Sequence, residues 1–84
     1  MRLVLLTPQK TLFDGKVDSV TIPGTKGLFT VLSQHAPLIT TLEQGILSYK
    51  IEGVEHKILI NDGFAEVLND DVSICIEKYT EFTK

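Results

Sequence analysis

The chain has one cysteine, three prolines and no long apolar run, and its eight basic residues are scattered among eleven acidic ones. Each shortage excludes something. Cys75 has no second thiol to meet, so neither an internal disulfide nor a thiolate pair for a metal can form, which suits a reducing compartment. The opening Met1-Arg2-Leu3-Val4-Leu5-Leu6-Thr7-Pro8 carries a basic residue and a brief apolar run. Secretory cores need about 7–15 apolar residues and membrane helices about 20, so this run reads as a first strand covered on both faces. No Lys/Arg cluster and no strip of basic and aromatic residues offers a track to a phosphate backbone, and the net charge is −3. Nucleic acid is therefore not an expected partner. Internal repeats, linkers and low-complexity stretches are absent as well.

Catalytic patterns are equally scarce. Gly24-Thr25-Lys26-Gly27 lacks the glycine spacing and the Lys-Ser or Lys-Thr ending of a phosphate-binding loop. Ser33 and His35 fall on one face of an extended chain, yet no nucleophile-elbow pattern surrounds them. His35, His56 and Cys75 stand 21 and 19 residues apart, without the paired spacing of zinc ligands. No catalytic residue, cofactor or metal is expected. Asp70-Asp71 reads as a solvated turn in which a carboxylate bonds the backbone two residues on.

What the chain does have is a recurrent strand signal. Leu47, Tyr49 and Ile51 alternate with Ser48, Lys50 and Glu52, one face inward and one wet. Gly53 turns the chain, and Val54, His56, Ile58 and Ile60 then share a face, which makes His56 a hydrogen-bonded histidine at the core edge. Asn61-Asp62-Gly63 and Asn69-Asp70-Asp71 mark further turns, on either side of Phe64 to Leu68, and Val72, Ile74 and Ile76 close the series. In the first half Val17 and Val20 differ in parity, as a bulge near Asp18-Ser19 or burial on both faces would produce. Ala36 precedes Pro37 and is pushed extended, so His35 is aimed in a fixed direction. Turns every eight to ten residues predict an all-β chain, a two-sheet antiparallel β-sandwich of about ten short strands. Residues 1–84 make one domain, with 77–84 a frayed tail too short for a helix of its own. At this size only about 60% of the unfolded surface is buried, which favours docking on something larger.

Several segments carry a resemblance in register. Thr7-Pro8, Leu12-Phe13-Asp14-Gly15-Lys16-Val17-Asp18-Ser19-Val20, the stretch from Pro23 to Leu38 with its His35-Ala36-Pro37-Leu38 corner, Gly45-Ile46-Leu47 and Asp62-Gly63-Phe64-Ala65-Glu66-Val67 follow one pattern in order. From about Leu3 to Ile76 the chain resembles the amino-terminal β-sandwich of the epsilon subunit of F-type ATP synthase.

That resemblance implies a non-catalytic subunit at the foot of the rotating central stalk, joining the gamma subunit to the ring of membrane-embedded c subunits. It would lie peripherally on the cytoplasmic face of a bacterial inner membrane, with no membrane insertion of its own. By the same analogy Thr7, His35 and Thr40 would face gamma, while Lys26, Gly27 and Leu28 would face the ring loops. Phe29 reads as core. The chain departs from the family pattern at Ser33-Gln34, where many relatives carry Pro-Gly, and at Leu28, where many carry an acid. Relatives also continue into a helical hairpin, so this sandwich by itself is expected to couple without braking hydrolysis. One alternative from another class is a lipoyl or biotinyl carrier domain modified at Lys26, although the Asp-Lys or Met-Lys-Met context is missing.

Overall fold

The computed structural model describes residues 1–81, and these contain ten strands and no helix. In chain order they are β1 (Arg2–Leu6), β2 (Thr11–Lys16), β3 (Ser19–Gly24), β4 (Gly27–Val31), β5 (Leu38–Leu42), β6 (Gly45–Ile51), β7 (Val54–Ile60), β8 (Gly63–Leu68), β9 (Asp71–Ile76) and β10 (Tyr79–Glu81). Hydrogen bonds run along one path, β10-β7-β6-β3-β5-β8-β9-β1-β2, with β4 paired on β3. The β3–β5 step is the single pair Gly24–Leu42, and the sheet turns back on itself at that corner. The all-β expectation holds, and the two layers are halves of one curled sheet.

Apolar alternation explains why the halves face each other. Val20, Ile22, Leu47, Ile58 and Ile60 from one half meet Leu3, Leu5, Val67, Val72, Ile74 and Ile76 from the other in a shared core. Ser48 is the polar side chain buried among the described residues; it stands in register with Thr21 and Lys57, on a face the alternation reads as wet. β1 is covered less completely than its composition suggests, with Leu3 and Leu5 buried and Val4 and Leu6 half-buried. The pairing is antiparallel except between β1 and β9, whose parallel contact requires the chain to cross the whole molecule before returning.

The hairpin turns are set by backbone sign. Glu52-Gly53 (φ +49° and +81°) and Asn69-Asp70 (φ +51° and +67°) both put two residues at positive φ, the geometry that matches strand twist in two-residue turns. Gly63 has φ +151°, and a Cβ there would run into the Cys75 carbonyl oxygen and lie 3.0 Å from Ile76 Cγ2. The parity change near Asp18 is a layer crossing and not a bulge. Val17 N–H bonds Met1 O in one half (2.9 Å) and Asp18 N–H bonds Lys50 O in the other (2.7 Å). A register shift occurs instead at Leu5/Leu6, opposite Phe13 and Thr11.

Two further expectations are corrected. The tail does not fray from residue 77, because Tyr79–Glu81 pairs with Ile60–Ile58 as β10 and Tyr79 packs on the core. The remainder of that tail, 82–84, lies outside the described residues. His56 is not a hydrogen-bonded histidine tucked under the core edge: its imidazole is exposed and stacks on Tyr49 at 5.3 Å between centroids, with Phe13 beyond Tyr49 at 4.8 Å, and it is Tyr49 and Phe13 that pack on the core.

Candidate functional site

The β3–β4 hairpin turns through Thr25-Lys26, closed by the pair Gly24–Gly27. Gly27 adopts φ +128°, which disfavours a side chain, and Leu28 stands 69% exposed beside it. Phe29 turns the other way and packs on the core, its ring 3.0 Å from where a Cβ on Gly24 would sit. The tip is tied to the end of β5. Thr25 N–H donates to Thr41 O (3.0 Å), the two threonine hydroxyls share a bond of 2.9 Å, and Glu43 N–H donates to Pro23 O (3.0 Å). Lys26, Gly27 and Leu28 are thus brought together on one anchored, exposed tip.

Thr7, His35 and Thr40 do not converge on a point. Thr7 follows β1 and spends its hydroxyl locally, accepting from Gln9 and Lys10 N–H (3.3 and 3.1 Å) and donating to Lys10 O (3.2 Å). It shares the lining of a cavity of about 560 Å³ with Pro8, Thr41, Phe64 and Cys75, at the same end as the hairpin tip. His35 lies at the other end, in the β4–β5 loop beside Asp70 and the amino terminus, with Nδ1 2.7 Å from Ala36 O. Thr40 is on β5 opposite Ala65, on the parity of buried Leu42, and its hydroxyl donates to Thr41 O (3.0 Å). Thr7 and Thr40 belong to the β5-β8-β9-β1-β2 half, and His35 to the loop that leads into it from β4.

That half also carries a surface the sequence reading missed. Ile39, Phe64 and Leu68 are 70%, 49% and 46% exposed, on the outward parity of neighbouring strands β5 and β8. Glu66, half-buried, lies between Phe64 and Leu68 on the same parity and opposite Ile39. The signal was available: Phe64 to Leu68 is apolar on both parities apart from Glu66, and only Ala65 and Val67 are needed inside. Contiguous exposed apolar side chains on a small domain mark an interaction surface.

The electrostatics are modest. Arg2 grips Asp14 across β1 and β2 in a two-bond contact, Nε and Nη2 each 2.9 Å from a carboxylate oxygen, with both side chains largely exposed. Asp70 is held below its usual carboxylate range, chiefly because it accepts the Gln34 N–H and secondarily through the nearby amino terminus, with desolvation opposing. Among the described residues no three His, Cys, Asp or Glu side chains gather as metal ligands, and no helix is long and apolar enough to cross a membrane.

The family model for the beta-sandwich domain of the ATP synthase delta/epsilon chain matches residues 1–81. The chain belongs to this family. As an epsilon-type sandwich it is 40% identical over 77 residues to the ATP synthase epsilon chain of Citrifermentans bemidjiense and 42% identical over 78 residues to that of Desulfosudis oleivorans. Each match covers 92% of this chain but only 56% and 59% of the relative, so the chain spans little more than half the length of these curated proteins. Its fold superposes on a chain of the Euglena gracilis mitochondrial ATP synthase (OSCP, F1 and c-ring) with a TM-score of 0.88 at 27% identity, covering 94% of this chain and 51% of that one. A chain of the Tetrahymena thermophila central stalk and c-ring shares the fold at 18% identity with a TM-score of 0.80, covering 95% of this chain and 65% of that one. The carrier reading of Lys26 gains nothing from these matches.

Proposed function

We propose that this epsilon-type sandwich is a rotor element of a proton-translocating F-type ATP synthase, coupling the gamma subunit to the ring of c subunits without contributing a catalytic group. The observation that carries the reading is the family match over residues 1–81, together with an apolar outer face that the fold leaves uncovered. The β5-β8-β9-β1-β2 half, with Ile39, Phe64 and Leu68 on its outside and Thr7, His35 and Thr40 along its length, is the side that packs on gamma. The anchored tip of Lys26, Gly27 and Leu28 faces the ring, with Leu28 supplying apolar contact. Torque has to pass through the domain without shear, and a close-packed core shared by both halves of the sheet provides that stiffness. In this reading the domain works peripherally, on the cytoplasmic face of a bacterial inner membrane.

The test is reconstitution. Added to cognate membranes stripped of epsilon, the chain should restore proton-driven ATP synthesis, and Ile39→Lys with Phe64→Lys should abolish the rescue while the isolated double variant stays folded. Failure of the unaltered chain to bind the stripped enzyme would refute the assignment.

A further inference from the structure

The loop that carries His35 is held in an improbable conformation by a residue 36 positions away. Gln34 has φ +65°, a left-handed conformation that a side chain with a Cβ disfavours. Its N–H donates to Asp70 Oδ1 at 3.0 Å. Asp70 is itself fixed on several sides. It occupies the second position of the β8–β9 turn with φ +67°, its carbonyl accepts Arg2 N–H at 3.1 Å, and its Oδ2 lies 3.5 Å from the Met1 amino group. The carboxylate is therefore a rigid acceptor presented by the strand ends, and a charge-assisted bond to it is stronger than one between neutral groups.

We infer that Asp70 is a positioning residue for docking: by capturing the Gln34 amide it fixes the β4–β5 loop and so aims His35 at the gamma subunit. Downstream, Ala36 before Pro37 is restricted to extended conformations, and His35 Nδ1 sits 2.7 Å from Ala36 O, so the ring turns with the segment it is bonded to. Upstream, Leu32, Ser33 and Gln34 are exposed and leave β4 without strand pairing of their own. The Asp70 contact is what connects this exposed stretch to the framework of β1, β8 and β9. The lowered carboxyl pKa of Asp70, whose largest cause is the Gln34 bond, agrees with the geometry.

The inference rests on the stalk reading, and the experiment separates the two. Amide exchange and two-dimensional NMR spectra are recorded for the full chain and for Asp70→Ala, Asp70→Asn and His35→Ala, and each protein is titrated with gamma. In Asp70→Ala the Gln34 amide should exchange at least about tenfold faster and the His35 ring signals should shift, while the core amides stay in place. Affinity for gamma should fall about tenfold, the size expected for losing one bond to a charged acceptor. The loss should not add to that of His35→Ala in the double variant, because both act through one loop. Asp70→Asn keeps an acceptor oxygen and should recover part of the exchange protection and affinity, which guards against reading a simple folding defect as a docking effect. Unchanged Gln34 exchange in Asp70→Ala, or strictly additive losses, would overturn the positioning role. If the unaltered chain does not bind gamma, the stalk reading and the docking half of this inference fall together, while the exchange data still decide whether Asp70 fixes the loop.

Discussion

Two glycines at positive φ offer a sharp separation of local from tertiary constraint. Gly53 has φ +81° and open space where a Cβ would go; Gly63 has φ +151° and a neighbouring strand in the way. Gly53→Ala therefore adds only left-handed strain, about 1–2 kcal/mol. Gly63→Ala adds backbone strain of about 1–3 kcal/mol plus overpacking of about 1–3 kcal/mol, because the Cβ meets the Cys75 carbonyl on β9, and a paired backbone cannot give way as a flexible side chain can. The sum is about 2–6 kcal/mol. For a domain of this size, with total stability of about 4–13 kcal/mol, that is enough to unfold a marginal chain. Urea denaturation is the assay. With a slope of about 1 kcal/mol per molar, the midpoint should fall by about 1–2 M for Gly53→Ala and by clearly more for Gly63→Ala. Equal shifts for the two variants, or a Gly63→Ala protein as stable as the unaltered chain, would show that β8 and β9 are not held as closely as described.

Three other outcomes follow from the same geometry. Ile74→Ala empties a fully buried site between the halves and should cost about 2–5 kcal/mol by urea denaturation, with no change in the baseline fold of surviving molecules. Leu28→Glu at the hairpin tip should change stability by no more than about 0.5 kcal/mol in the same assay, because that side chain is largely in water. Asp70 has a folded pKa below its ordinary value of 3.8, so its stabilisation is fully present above that value and is lost as pH falls through the lower folded one. Asp70→Asn should flatten the acid limb of the stability profile below about pH 4 in urea titrations at stepped pH, with Met1 and Arg2 left intact.

Local patterns were legible because they are written in neighbouring residues. The alternation of Leu47, Tyr49 and Ile51 places β6, and Gly53 and Asn69-Asp70 mark turns that need positive φ. What escaped depends on partners distant in sequence. The parallel contact of β1 with β9 has no periodic signature of its own, and neither does the pairing of Tyr79–Glu81 with β7, where a half-buried tyrosine and an open edge outweigh the tendency of an end to fray. Parity puts His56 on the face of Ile58 and Ile60 but does not tell how far that face is covered; here Val54 and His56 are exposed and the ring stacks on Tyr49. At the candidate site, the hairpin tip of Lys26, Gly27 and Leu28 could be read from Gly24 and Gly27, whereas the distribution of Thr7, His35 and Thr40 along one half of the sheet could not. The Asp70 bond to Gln34 was likewise invisible: a turn aspartate is expected to bond its own backbone, and this one bonds a loop 36 residues away.

The decisive interaction is the one with gamma. Calorimetric titration of the 84-residue chain with purified cognate gamma subunit, at two temperatures, measures it directly. Burial of the Ile39, Phe64 and Leu68 face should give saturable one-to-one binding, micromolar or tighter, with a negative heat-capacity change that shrinks in Phe64→Lys. Absence of binding at tens of micromolar gamma, or binding that is indifferent to charges placed at Ile39 and Phe64, would contradict the claim that this face is the one that docks on the stalk.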